Sequence, residues 1–139
     1  MVIELLIAAF VITVTLIIQA ITIAIASRVL DRMEPWLQKP NHSLKLIVLL
    51  VGGTLWLMLG ITFTVWAWAS MYRGLELFDT WEAALYFAAV SFTTLGYGDL
   101  VIEGKWRMLS ALSAANGLII FSLTTAFLLE VLRRQPKQP

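Results

Sequence analysis

The sequence predicts an all-helical membrane protein with three transmembrane helices and one short re-entrant helix. Three observations lead there. Hydrophobic residues make up 60% of the 139-residue chain, against roughly 45–50% in an average soluble domain, and mean hydropathy is +0.84. Charges fall in short clusters and leave charge-free runs of 23, 27, 16 and 22 residues at Leu5–Ser27, Leu46–Tyr72, Ala83–Gly98 and Met108–Leu129. Three of these runs reach the about 20 residues that cross roughly 30 Å of hydrocarbon, while the run from Ala83 suits a short helix that enters part way and irregular backbone that returns.

Composition also excludes several classes. Ten Lys and Arg against nine Asp and Glu leave a net charge of +1, so there is no basic surplus for nucleic acid. Cysteine is absent and histidine occurs once, which removes disulfides, thiolate metal sites and histidine clusters. No nucleophile, base and orienting group fall together, so the chain reads as a non-enzyme. The start Met1-Val2-Ile3-Glu4 lacks a basic n-region and precedes an apolar run too long for a signal peptide, so residues 1–27 are expected to remain as an additional N-terminal helix.

Within that helix Glu4, Ala8, Thr15, Gln19, Thr22 and Ala26 recur at spacings of three, four and seven. This side is expected to pack on protein, with Gln19 bonded inside the bundle; the plainer alternative is that Thr side chains bond back to their own helix. Residues 28–45 turn polar, and Pro35, Pro40 and Asn41-His42-Ser43 predict a linker that breaks the helix, with Trp36 and Leu37 at the membrane interface. His42 reads as an ordinary solvated histidine.

The outer helix, 46–72, carries Gly52, Gly53 and Gly60 for close approach of a neighbour. Trp66, Trp68 and Tyr72 near its end predict an interfacial aromatic belt. Seven of the ten basic residues lie in the linker and tail, namely Arg28, Arg32, Lys39, Lys45, Arg133, Arg134 and Lys137. By the positive-inside rule those segments are cytoplasmic and the N-terminus faces out.

Asp79 followed by Glu82 predicts a capped short helix over 79–92, the re-entrant element. After it comes Thr93-Thr94-Leu95-Gly96-Tyr97-Gly98-Asp99, where two glycines flank an aromatic and no helical period survives. Irregular backbone at membrane depth persists only when buried in protein or lining a watery cavity. Gly96 and Gly98 admit left-handed dihedrals cheaply, so alternating handedness can turn successive carbonyls toward one axis.

These seven residues resemble the selectivity filter of the potassium-channel pore family, whose pattern reads Thr-Val-Gly-Tyr-Gly. The resemblance covers about 46–134 and leaves the first helix outside the minimal two-span pore. It implies K+ bound by the carbonyls of Thr94, Leu95, Gly96, Tyr97 and Gly98, with the Thr94 hydroxyl at the inner end. It also implies a homotetramer, because one chain supplies only one strand of a ring, and no organic cofactor. Around this filter, 93–99, Thr93 and Tyr97 serve as supports and Asp99 sits at the outer mouth. Leu95 departs from the usual Val. Val90 stands where some relatives hold the mouth aspartate with a carboxylate, which leaves Tyr86 as the candidate partner of Asp99.

The inner helix, 106–134, is rich in small residues. Gly117 falls where the family often has a hinge, and close packing is the equal alternative. Asn116, Thr124 and Thr125 are expected to face a water-filled cavity, Phe121 and Leu129 to narrow its inner entrance, and Glu130 either to attract cations or to pair with Arg134. No arginine ladder marks a voltage sensor. The short tail 135–139 is expected to leave no room for a cytoplasmic ligand-binding domain, so gating, if any, is expected from the pore, the linker, lipid or a separate regulatory partner. The reading is thus a multi-pass protein of the cell membrane that conducts K+ passively, against alternatives of a weakly selective cation channel or a non-conducting scaffold or regulatory subunit.

Overall fold

The computed structural model describes residues 2–37 and 42–133, and every described element is helical. Helix α1 spans Val2–Leu37, α2 His42–Gly74, α3 Trp81–Phe92 and α4 Met108–Arg133, with one 3-10 turn at Gly104–Trp106 before α4. Three helices are long and apolar enough to cross a membrane, over Val2–Met33, Leu44–Gly74 and Gly104–Arg133. With 12 residues, α3 extends only about 18 Å and ends inside the thickness the others cross. The architecture is therefore three spans plus one half-span, as the charge-free runs predict. Helices α2 and α4 touch each other, and both α1 and α3 pack on that pair.

One stripe of α1 is buried: Glu4, Ala8, Val11, Thr15, Gln19, Thr22 and Leu30. This is the polar side read from the sequence, turned inward because lipid offers those groups no partner. Both readings of its polar residues hold together. Thr22 donates to the Ile18 carbonyl at 2.8 Å, while Gln19 Nε2 donates to Thr124 Oγ1 on α4 at 2.9 Å. Buried residues recur likewise at spacings of three, four and seven along α2, at Leu57, Ile61, Thr64, Trp68 and Tyr72, and along α4, at Leu109, Ser113, Asn116, Ile120, Phe127 and Val131.

Two expectations are corrected. The first span does not end at Ser27, since α1 continues as helix through Arg28 to Leu37. Arg28, Asp31 and Arg32 are compatible with helix, and the helix continues two residues past Pro35 before it ends. Lys39, Pro40 and Asn41 of the expected linker, Arg134 and the tail 135–139 lie outside the described residues, as do the side chains of Trp36 and His42. The aromatic belt is also reduced to one residue of three. Trp66 is 46% exposed and lies 5.9 Å from Trp81, whereas Trp68 and Tyr72 are fully buried. Residues 68 and 72 share a face and 66 is turned about 200° from 68, so the three cannot serve one surface.

Tyr72 is the centre of the packing that carries α3. Its ring meets Phe87 edge-on at 5.2 Å and Phe78 at 6.2 Å, and Phe78 lies 5.0 Å from Phe87. Arg73 donates to the Phe78 carbonyl and its guanidinium lies 5.9 Å over the Trp81 ring. These contacts hold the connection between α2 and α3.

Gly60 of α2 lies directly against side chains of α1. A Cβ there would lie 2.9 Å from both Oγ1 and Cγ2 of Thr22 and 3.0 Å from Gln19 Oε1, whereas nothing lies within 4 Å at Gly52. The Thr22 hydroxyl is fixed on its own helix and cannot swing aside. Gly60→Ala is expected to destabilise the protein in detergent by about 1–3 kcal/mol, while Gly52→Ala should stay within about 0.5 kcal/mol; thermal unfolding of the two variants checks this.

Candidate functional site

The site is the loop Thr93–Asp99 at the C-terminal end of α3. Local chemistry starts that helix one residue later than the sequence suggests. The N-cap is Thr80, in extended conformation, whose hydroxyl accepts from the Ala83 N–H at 3.2 Å. Asp79 precedes it and is not the cap, because a cap must place its oxygen over the third helical N–H and Thr80 does so. Ala84, Phe87, Ala88 and Phe92 then bury one face, and the helix ends at Phe92 as expected.

Past Phe92 the chain folds back on the helix end. Thr93 N–H donates to Ala89 O and Thr94 N–H to Ser91 O, each at 3.0 Å. Leu95 and Gly96 both donate to the Val90 carbonyl, at 3.0 and 3.3 Å. The Thr93 hydroxyl adds a bond to Ala89 O at 2.8 Å. Thr93 thus supports the loop from below. Val90 does so through its backbone, a role its side chain does not reveal.

The loop has an alternating backbone. Thr94, Gly96 and Gly98 have φ of +60°, +57° and +76°, with Leu95 and Tyr97 between them outside that region. Gly96 and Gly98 are the residues expected to take this conformation. Thr94 joins them although a β-branched residue there is strained, by roughly 1–3 kcal/mol. Such strain persists only where the surroundings over-determine it, and the bonds from 93 to 96 supply that support.

Every residue from Thr93 to Asp99 is exposed in the single chain. Leu95 is 56% and Tyr97 68% exposed, large apolar and aromatic surfaces with no cover within the chain. At the far end of the loop the Tyr86 hydroxyl donates to Asp99 Oδ2 at 2.8 Å, which is the pairing expected from Val90 replacing a carboxylate. The hydrogen bond to Asp99 holds the Tyr86 hydroxyl pKa above its ordinary value.

Helix α4 supports the site from behind. A Cβ on Gly117 would lie 1.8 Å from the Phe92 carbonyl oxygen, so α4 touches the last turn of α3 backbone to backbone. Close packing is what the geometry shows at Gly117, within a helix that runs unbroken from Met108 to Arg133. Phe121, expected at the inner entrance, is partly buried with its ring 5.6 Å from Phe92, whereas Leu129 is exposed. Asn116 and Thr124 do not face an open cavity. Asn116 Nδ2 donates to Thr15 Oγ1 at 2.7 Å and Thr124 accepts from Gln19, because α1 offers them polar partners. Thr125 remains exposed, its hydroxyl bonded to the Phe121 carbonyl at 2.9 Å. Neither bond to α1 was visible in the sequence, since nothing in the spacing of one helix states which partner it meets.

Three helices able to span a membrane, with a half-span helix packed on α2 and α4 and an irregular, glycine-containing loop exposed at its end, are the architecture of a pore-forming membrane protein. A family model described as ion channel matches residues 45–134, which takes in α2, α3, the loop and α4. The chain belongs to that ion channel family, carrying one additional N-terminal helix. Comparisons with curated proteins and with solved structures gave no match.

Contact between Gly117 and the Phe92 carbonyl is backbone on one side and helix on the other, so neither can yield. Gly117→Ala should cost about 3 kcal/mol or more and lower the thermal midpoint well beyond Gly52→Ala. Tyr86→Phe removes one exposed hydrogen bond and should lower the thermal midpoint far less than Gly117→Ala in the same assay.

Proposed function

We propose that this protein is a potassium-selective channel of the cell membrane, conducting K+ passively along the axis of a homotetramer. The observation that carries this reading is the alternation of positive φ at Thr94, Gly96 and Gly98 in a loop seated on the end of a half-span helix. Residues of alternating handedness rotate successive peptide planes so that carbonyls from Thr94 to Gly98 can converge on one line. A column of such oxygens replaces the hydration shell of a dehydrated cation, and the carbonyl end of α3 adds partial negative charge behind it. The Thr94 hydroxyl provides a further oxygen at the inner end.

Assembly follows from incompleteness. One loop gives one side of a coordination shell, and the exposure of Leu95 and Tyr97 leaves apolar area that neighbouring copies would cover. Closed rotational symmetry places identical loops around an axis, and four copies match the family that the sequence resembles. In this arrangement Asp99, held by Tyr86, lies at the outer mouth. The N-terminus faces outward and the C-terminal end of α4 faces the cytoplasm, in keeping with the distribution of basic residues.

The test is reversal potential in planar bilayers or liposomes under opposing K+ and Na+ gradients. A potential close to the K+ equilibrium value supports the proposal. A value midway between the two identifies a weakly selective cation channel, and silence from intact oligomers identifies a scaffold. Gly96→Ala is expected to abolish K+ flux, since an L side chain at φ +57° costs about 1–2 kcal/mol in every copy and turns the adjoining carbonyls. Flux at the wild-type level in that variant would remove carbonyl coordination as the mechanism.

A further inference from the structure

The first helix lies outside the matched family region, yet it holds the inner helix by two side-chain hydrogen bonds, one buried and one partly buried. Thr15 Oγ1 accepts from Asn116 Nδ2 at 2.7 Å and itself donates to the Ile12 carbonyl at 2.8 Å. One turn further along, Gln19 Nε2 donates to Thr124 Oγ1 at 2.9 Å, and Thr124 donates to the Ile120 carbonyl at 2.8 Å. Each link is anchored at its far end on helix backbone. Thr15, Gln19 and Asn116 are completely buried, so neither water nor lipid can substitute for a lost partner.

The bond at Asn116 is adjacent to Gly117, the residue seated on the Phe92 carbonyl. Phe92 is the last residue of α3, and Thr93 begins the loop. Displacement of α4 at 116 therefore moves the seat at 117 against the helix end from which the loop is hung. We infer that Thr15 and Gln19 are positioning residues for the pore: through Asn116 and Thr124 they set the seat of Gly117 on Phe92, and with it the geometry of Thr93–Gly98. This inference rests on the channel reading, and it gives the first helix a role in permeation that an anchoring helix lacks.

The experiment compares full-length wild-type protein with Thr15→Val, Gln19→Leu, Thr15→Ser and Thr13→Val in liposomes, reading the K+/Na+ permeability ratio and inhibition by Ba2+. Thr13 also bonds to its own helix, at Ala9 O, but faces outward, so Thr13→Val removes the same group without the link. Thr15→Val and Gln19→Leu should each shift the permeability ratio or Ba2+ sensitivity by about threefold or more, the equilibrium weight of one interhelical hydrogen bond. Thr15→Ser, which keeps the hydroxyl, and Thr13→Val should match wild type. Should Thr15→Val fail to fold, Gln19→Leu carries the same test at the second link. Loss of thermal stability or total flux with unchanged ratio and block overturns the inference and leaves the channel intact. Wild-type protein that passes no cation instead overturns the channel reading, and this inference falls with it.

Discussion

Backbone oxygens cannot be left unpaired in hydrocarbon, and the rest of this molecule depends on that constraint. Three long helices meet it by bonding within themselves, and their hydroxyl residues meet it again by returning to carbonyls three or four residues back. The stretch after Phe92 does not meet it helically. There the Val90 carbonyl takes two N–H donors, while the oxygens of the loop from Thr94 to Gly98 lie in an exposed segment with left-handed turns at alternate residues. A short helix, a capped end and two supporting spans exist around a segment that stays exposed in the single chain.

Support for that segment is layered. The aromatic group of Tyr72, Phe78 and Phe87 fixes α3 against α2. Gly117 admits the Phe92 carbonyl to the surface of α4, and Phe121 closes on the Phe92 ring beside it. Behind α4, the polar side of α1 provides hydrogen bonds where an apolar helix would give only dispersion contacts. Small residues and polar residues thus do complementary work: the first allow approach, the second choose the register.

Much of this was legible in the sequence because it is set by period and by local chemistry. Charge-free runs placed the spans, and the spacing of Glu4, Ala8, Thr15, Gln19 and Thr22 identified the inward side of α1. The end of α3 at Phe92 and the Tyr86–Asp99 bond were also readable, the latter because Val90 leaves Asp99 without its usual partner. What escaped depends on tertiary neighbours or on near-equal local choices. Asp79 and Thr80 are both good caps, and backbone geometry rather than composition decides between them. Trp68 and Tyr72 carry the signature of an interfacial belt, yet helical phase turns them into the core. Asn116 and Thr124 resemble cavity-lining residues until α1 is placed beside them. The extent of α1 past Arg28 was concealed because charge and proline were read as a break, where the backbone carries helix to Leu37.

That extra length has a mechanical meaning. Thirty-six residues of helix measure about 54 Å, against roughly 30 Å of hydrocarbon, so α1 must lean or project to fit a bilayer. Because it is bolted to α4 near its middle, it cannot change its lean alone. Any change in that lean would carry with it the neighbour that cradles Phe92, to which α1 is linked at Asn116 and Thr124.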